Sequence, residues 1–158
     1  MAQGLFVTTK DIATFTSLNG NVDTDKFVQF IKIAQDIHIQ NYLGTDLYDK
    51  ISEDIVNSTL TGDYLALVNT YVKPMVIHWA MVEYLPFSAY KVANQGVYKH
   101  LSETAESVDK TEVDFLIGKE TQIAEHYTER FVQYICNNSE LFPEYNSNSN
   151  GDMYPDQD

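Results

Sequence analysis

VDKTEVDFLIGKETQIAEHYTERFVQYIC, the run from Val108 to Cys136, reads as one long amphipathic helix. Its apolar residues Val113, Leu116, Ile117, Ile123, Ala124, Tyr127, Phe131, Tyr134 and Ile135 recur at three- and four-residue steps, a helical stripe and not a strand alternation. At 1.5 Å rise per residue the run spans roughly 40 Å, the length of a small domain. Asp109, Glu112 and Asp114 crowd its first turns and Arg130 lies near its last, each sign where the helix dipole favours it. The earlier segments can all bury an apolar side against this helix. The expected fold is all-α: a helical bundle of about four to five helices around one long C-terminal helix, with extended N- and C-terminal arms.

Upstream, the punctuation supports that count. Leu5-Phe6-Val7-Thr8 is short and β-prone, an edge strand or extended arm. Thr8 and Asp11 stand at capping-box spacing, so a helix of one or two turns through about Phe15 follows. Asn19-Gly20-Asn21 is a turn. Asp23 or Thr24 caps the next helix, with Phe27, Phe30, Ile31, Ala34, Ile37, His38 and Asn41 on one face, and Gly44 stops it. Thr45 restarts a helix at a tight corner, with Leu47, Tyr48, Ile51 and Ile55 inward. Asp63 to Val72 offers Tyr64, Leu65, Leu67, Val68 and Tyr71 for burial. Pro74 and Pro86 each remove a backbone donor, so Tyr71 to Lys91 reads as helix kinked or restarted there. Met75, Val76, Trp79, Ala80, Val82, Tyr84, Leu85 and Phe87 point several ways, as in a helix buried on more than one side. Asn94-Gln95-Gly96 breaks it, and Val97 to Ser107 crosses the surface.

The domain assignment is a helical unit over residues 1–136 and an extended tail over 137–158. Leu141-Phe142-Pro143-Glu144-Tyr145 has apolar side chains without helical period, an extended clip. Asn146 to Asp158, rich in Asn, Ser, Asp and Gly, lacks the apolar area to order itself and is expected to need contacts outside the domain.

The 158 residues, 44% of them hydrophobic, suit a single core. The charge of -13, from 23 acidic against 10 basic residues with Arg130 the one arginine, disfavours wrapping of nucleic acid, although DNA can slide past an acidic surface without sticking. The lone Cys136 excludes an internal disulfide and reads as small apolar packing at a helix end. No secretory leader opens the chain and no apolar run is long enough to cross a membrane, so neither export nor membrane insertion is expected.

Chemistry-bearing motifs are sparse. His38, His78, His100 and His126 lack metal-ligand spacing: no His-Glu-x-x-His or Glu-x-x-His pattern occurs. Glu125 and His126 are adjacent and diverge on a helix, while His78 and Glu83 are five apart and share no face well. Ile117-Gly118-Lys119-Glu120-Thr121 has the ending of a phosphate loop, but Val113 stands where its first glycine belongs and the segment reads as mid-helix. The acidic pairs Glu103 with Glu106 and Glu125 with Glu129 are most simply solvated charge, with a divalent ion there as the sharper alternative. No catalytic, cofactor-binding or metal-binding residue is expected, and the chain is not expected to be an enzyme. Tyrosine is unusually frequent, and of the eleven Tyr and eight Phe many must be core, while such rings are also enriched in protein interfaces and favour assembly over catalysis.

Three blocks together resemble an uncharacterised family of phages and prophages of Bacteroidetes-type hosts, including the crAss-like gut phages. They are Gln40-Asn41-Tyr42-Leu43-Gly44-Thr45-Asp46-Leu47-Tyr48, then Tyr71-Val72-Lys73-Pro74 through Tyr84-Leu85-Pro86-Phe87, and Ala124-Glu125-His126-Tyr127 through Phe142-Pro143-Glu144-Tyr145. That family looks like the head-tail adaptor, or head-completion, proteins of tailed bacteriophages. The resemblance implies a structural virion protein, a connector ring of twelve copies in the neck, assembled in the bacterial host cytoplasm. Its partners would be the portal protein, neighbouring copies, the next neck or tail protein, and passing DNA without specific binding. The resemblance further implies that the C-terminal segment docks on the portal or a neighbouring protomer through Leu141, Phe142, Tyr145, Met153 and Tyr154. Two readings of other classes stand beside it: an acidic host-directed binding protein that mimics nucleic acid or inhibits, and a small helical enzyme in which His78, Glu83 and Glu125 would converge on a metal.

Overall fold

A computed structural model describes residues 4–8, 10–11, 24–87, 90–93, 96–99 and 110–158. Helices α1 (Thr24–Ala34) and α2 (Gln40–Leu43) are joined by a π-helical turn, Gln35–Ile39, into one rod. Gly44 ends it and α3 (Thr45–Val56) begins at once. Helix α4 (Gly62–Leu67) runs through a second π turn, Val68–Val72, into α5 (Lys73–Tyr84), which tightens to 3-10 geometry at Leu85–Phe87. Strands β1 (Tyr90–Ala93) and β2 (Gly96–Lys99) form an antiparallel hairpin, and α6 (Lys110–Asn137) follows. Two 3-10 turns, Ser139–Leu141 and Pro143–Asn146, complete the regular structure. The all-α bundle is therefore present, with the hairpin as a small appendage.

Helix α5 is the shared wall of the core, packed between α1 and α6. Its Met75, Val76, Ile77, Trp79, Ala80 and Met81 are all buried, as expected for a helix apolar on every side. Pro74 occupies its first turn, where its missing donor costs least. The preceding π turn, closed by the Lys73 amide on the Val68 carbonyl, widens the backbone where the proline ring would crowd a regular helix. The helix does not continue to Lys91: Pro86 falls in the 3-10 turn, and Tyr90–Ala93 pairs with Gly96–Lys99 instead. The turn at Asn19 to Asn21, the end of the first short helix, Asn94, Gln95 and residues 100–109 lie outside the described residues.

The first π turn corrects the face expected for α1. Five residues in one turn shift the helical phase, so Ile39 and Leu43 point inward with Ile31, while Ile37 and Asn41 face solvent. Gln35, on the inward line, is completely buried. Its Nε2 donates to the Gly4 carbonyl and to Tyr48 Oη (both 3.2 Å), and its Oε1 accepts from the Phe6 amide at 2.8 Å. Ser52 Oγ accepts from the Gly4 amide at 2.8 Å. The N-terminal arm is thus pinned by side chains of α3 and the π turn, which satisfies backbone groups that a strand partner would otherwise take. Phe6 and Val7 enter the core there. Thr8 and Asp11 form the expected reciprocal capping box, at 2.9 and 3.2 Å.

On α6, Ala124, Phe131 and Ile135 are fully buried, with Tyr127 and Tyr134 partly so. Leu116 and Ile123, expected inside, are exposed, because the inward line of α6 runs through half-buried Ile117 and buried Ala124, Phe131 and Ile135 and leaves those two on its outer side. Leu65 is likewise exposed. Cys136 faces solvent and is not packed, its Sγ 3.8 Å from Tyr145 Oη.

Candidate functional site

The α2–α3 corner is built by Gly44, at φ +75° and ψ 157°, a conformation essentially confined to glycine. It places Asn41, Thr45 and Asp46 side by side on the outer edge of the bundle, where the C-terminal segment lies as a strap. The Thr45 amide donates to the Met153 carbonyl at 3.1 Å, and Thr45 Oγ1 donates to Asp152 Oδ2 at 2.9 Å while accepting from the Met153 amide at 3.2 Å. The Asp156 amide donates to the Asn41 carbonyl at 2.7 Å. Asp46 Oδ2 accepts from Ser147 Oγ (2.6 Å), the Ser149 amide (2.8 Å) and Ser149 Oγ (2.9 Å). Between these bonds Pro155 sits against Gly44 so closely that a Cβ there would stand 2.8 Å from its Cδ.

The electrostatics of the corner follow from these bonds. Hydrogen bonds from Ser147 and Ser149 hold the Asp46 carboxyl below its ordinary range. Burial, then the charges of Asp46 and Asp152, push Asp49 up. Asp46 Oδ1 is closed off from solvent and meets no donor, a cost the corner carries even with the strap in place. Because the folded form depresses Asp46, its contribution is present above the unfolded carboxylate range and is lost as pH falls through the folded value. Asp49 works in the opposite sense: its protonation, first on acidification, relieves repulsion. The strap should therefore stay seated through mild acid and loosen only below the ordinary carboxylate range. Amide exchange of Ser149 and Met153 followed from pH 7 to pH 3 checks this; loosening already above pH 5 would contradict it.

The sequence-nominated contact residues separate into two groups. Phe142 and Tyr145 belong to this chain's own core, so they are internal anchors and are not free for a partner. Phe142 meets Tyr64 edge-on at 5.3 Å, and Tyr64 donates to Glu144. Burial, followed by that carboxylate, raises the Tyr64 hydroxyl well above its usual range. Burial likewise raises the Tyr145 hydroxyl to about 12, and it accepts from Gln157 Nε2 at 3.3 Å. Leu141, Met153 and Tyr154 remain exposed, Tyr154 most of all at 68%. The expectation that Asn146 to Asp158 orders only against an outside partner is corrected as well, since hydrogen bonds to the corner, and not apolar area, seat it.

Beside the strap a cleft of 470 Å³ opens between α2, α6 and the chain end, lined by Tyr42, Glu125, Thr128, Glu129, Gln157 and Asp158 among others. Three carboxylates and no base line it, so it favours a cationic group over a phosphate. Burial, then Asp156 and Glu125, raise the Tyr42 hydroxyl.

His38 and His78 are engaged elsewhere and apart. His38 stacks on Trp79 at 4.0 Å and pairs with Glu83 at 2.9 Å; His78 stacks on Tyr127 at 5.3 Å and pairs with Glu120 at 2.8 Å. His78, Glu83 and Glu125 therefore do not converge. His126 lies edge-on to Tyr127, and His100, Glu103 and Glu106 fall outside the described residues. Among the described residues no group of three or more His, Cys, Asp or Glu is placed to hold a metal ion. Ile117 to Thr121 is helical, with Thr121 Oγ1 bonded back to the Ile117 carbonyl. No helix among the described residues is long and apolar enough to cross a membrane. Sequence reading missed Gln35, whose polar side chain on an apolar face was the available signal, and Asp46, whose strap bonds span about a hundred residues.

Over residues 39–154 the chain matches the model of a family of unknown function, DUF6712. The chain belongs to this family. The DUF6712 span takes in the corner itself and its partners Ser147, Ser149, Asp152 and Met153, and stops just before Pro155 and Asp156. No curated protein and no solved structure matches the chain.

Proposed function

We propose that the chain is a non-enzymatic structural subunit of a phage neck, a head-tail adaptor that assembles as a ring between the portal and the downstream neck or tail proteins. The three sequence blocks that resemble such adaptors support the identity of the assembly. The observation that carries a role in assembly is the outer side of the first half of α6, where Phe115, Leu116 and Ile123 face solvent within two and a half turns. Such grouped apolar exposure is a feature of surfaces that meet other proteins. Electron microscopy of the purified chain mixed with its cognate portal tests the reading: rings on the portal are expected, and a chain that stays monomeric and never joins portal or capsid removes it.

On this reading the ring surrounds passing DNA without gripping it. With a charge of -13, an anisotropy titration against duplex DNA at physiological salt should show no specific complex. Sub-micromolar affinity would contradict it. The acidic cleft at Glu125, Glu129 and Asp158 favours a second reading, a host-directed protein that seats a basic side chain of its target. A monomer that captures a basic host protein and ignores the portal would move the assignment there.

A further inference from the structure

Strands β1 (Tyr90–Ala93) and β2 (Gly96–Lys99) pair with each other and with no third strand among the described residues. The register sets Tyr90 against Lys99, Lys91 against Tyr98, Val92 against Val97 and Ala93 against Gly96. In such an antiparallel pair, alternate residues of each strand turn their N–H and C=O away from the partner strand, so both outer edges present backbone donors and acceptors. Among the described residues no helix of the bundle packs closely on the hairpin either. We propose that the hairpin is a docking element that takes an extended, acidic segment of another protein as a third strand, with backbone bonds made at an open edge and negative charge matched by Lys91 and Lys99.

Stability and charge both point to such an occupant. A two-stranded hairpin that leans on nothing is marginal in water, and a third strand is what makes a small sheet stable. Tyr and Val, which favour extended backbone, fill four of the eight strand positions. From Tyr84 to Ser102 the chain holds Lys91 and Lys99 and no acidic residue, although acidic residues outnumber basic ones by 23 to 10 overall. The hairpin is thus a basic island on an acidic protein, and each strand carries one of the lysines, so either edge offers a cation to an incoming strand. A second copy of the hairpin is the wrong partner, because edge-to-edge pairing would bring lysine-bearing strands together. Duplex DNA has the matching charge but offers no extended amide backbone to an open edge. The docking holds for any assembly the chain serves, and its failure leaves the neck reading untouched.

Titration of the full chain with a capped peptide of about eight residues, alternating valine and glutamate, tests the docking, since that length covers a strand with overhang at both ends. Binding is expected to weaken with salt and to protect backbone amides of Tyr90–Ala93 or Gly96–Lys99 from exchange. The same peptide with its backbone nitrogens methylated keeps the charge, loses the donors and should not bind. Lys91→Glu combined with Lys99→Glu should weaken binding roughly tenfold, as for opposite-charge neighbours across strands turned into like-charge ones, and should favour a valine–lysine peptide instead. Lys91→Gln combined with Lys99→Gln guards against a reversal that unpairs the strands, and it should give a smaller loss while the Val92–Val97 register persists by NMR. No binding, binding that survives methylation, or protection confined to the helices overturns the docking. So does affinity that both lysine pairs leave unchanged. Hairpin protection that grows with protein concentration alone would make a second copy the occupant, and protection by duplex DNA would make it nucleic acid; either result overturns the acidic strand. A hairpin that binds the peptide in a chain that never joins the portal would remove the neck reading and keep the docking.

Discussion

Trp79→Ala is expected to destabilise the protein by about 3–5 kcal/mol, the range for truncating a large buried aromatic. Trp79 is 7% exposed and sits on α5, the helix that both α1 and α6 cover. One ring face is stacked on His38 at 4.0 Å, while Nε1 donates to Thr128 Oγ1 at 2.9 Å, and Thr128 in turn donates to the Ala124 carbonyl at 2.7 Å. The indole therefore joins the two sides of the bundle, and its loss leaves a cavity at their meeting plane. Two further variants divide the effect. Trp79→Phe keeps most of the packing and loses the hydrogen bond, for about 1 kcal/mol. Thr128→Val keeps the indole but strands its N–H, at roughly 1–3 kcal/mol. Urea unfolding of the three proteins gives the comparison, and a wild-type midpoint for Trp79→Ala would mean that α5 is not the wall of the core.

What was legible in the sequence is what local chemistry decides. The capping box at Thr8 and Asp11, the stop at Gly44, the restart at Thr45 and the long helix before Cys136 each follow from a few adjacent residues. The π turns were not legible, because a five-residue turn leaves no mark on composition; a 3.6-residue period carried past Ala34 nominates Ile37, while the chain buries Ile39. The hairpin was hidden by length: four residues of alternation in Tyr90–Ala93 extend an apolar run that reads equally as helix. The strap failed for a different reason. Composition measures how much apolar area a segment can bury. Ser147 to Asp158 is ordered instead by short side chains that meet Thr45 and Asp46, partners about a hundred residues away. Phe142 and Tyr145 looked like anchors for a partner because an anchor for one's own core has the same residue type.

Gly44→Ala is the other large effect expected, and it joins the fold to the candidate site. At φ +75° and ψ 157° the residue occupies a region where an L side chain costs of order 1–3 kcal/mol, whatever the space around it. Here space is lacking as well, since the added Cβ would lie 2.8 Å from Pro155 Cδ and 2.9 Å from its Cγ. The strap must then lift from the corner, with loss of the Thr45–Met153 and Asn41–Asp156 bonds. Gly62, at φ +63° with nothing within 4 Å of its would-be Cβ, provides the contrast of a positive φ without a neighbour. Gly62→Ala should therefore cost less and leave amide protection in the strap unchanged. Pro155→Ala separates the two parts at Gly44 itself: if close approach matters, Gly44→Ala costs less in that background than in the wild type, and the remainder is backbone strain. Equal costs in both backgrounds would show that Pro155 does not read the missing side chain. Protection of Met153 and Asp156 that survives Gly44→Ala would show that the strap is held by something other than the corner.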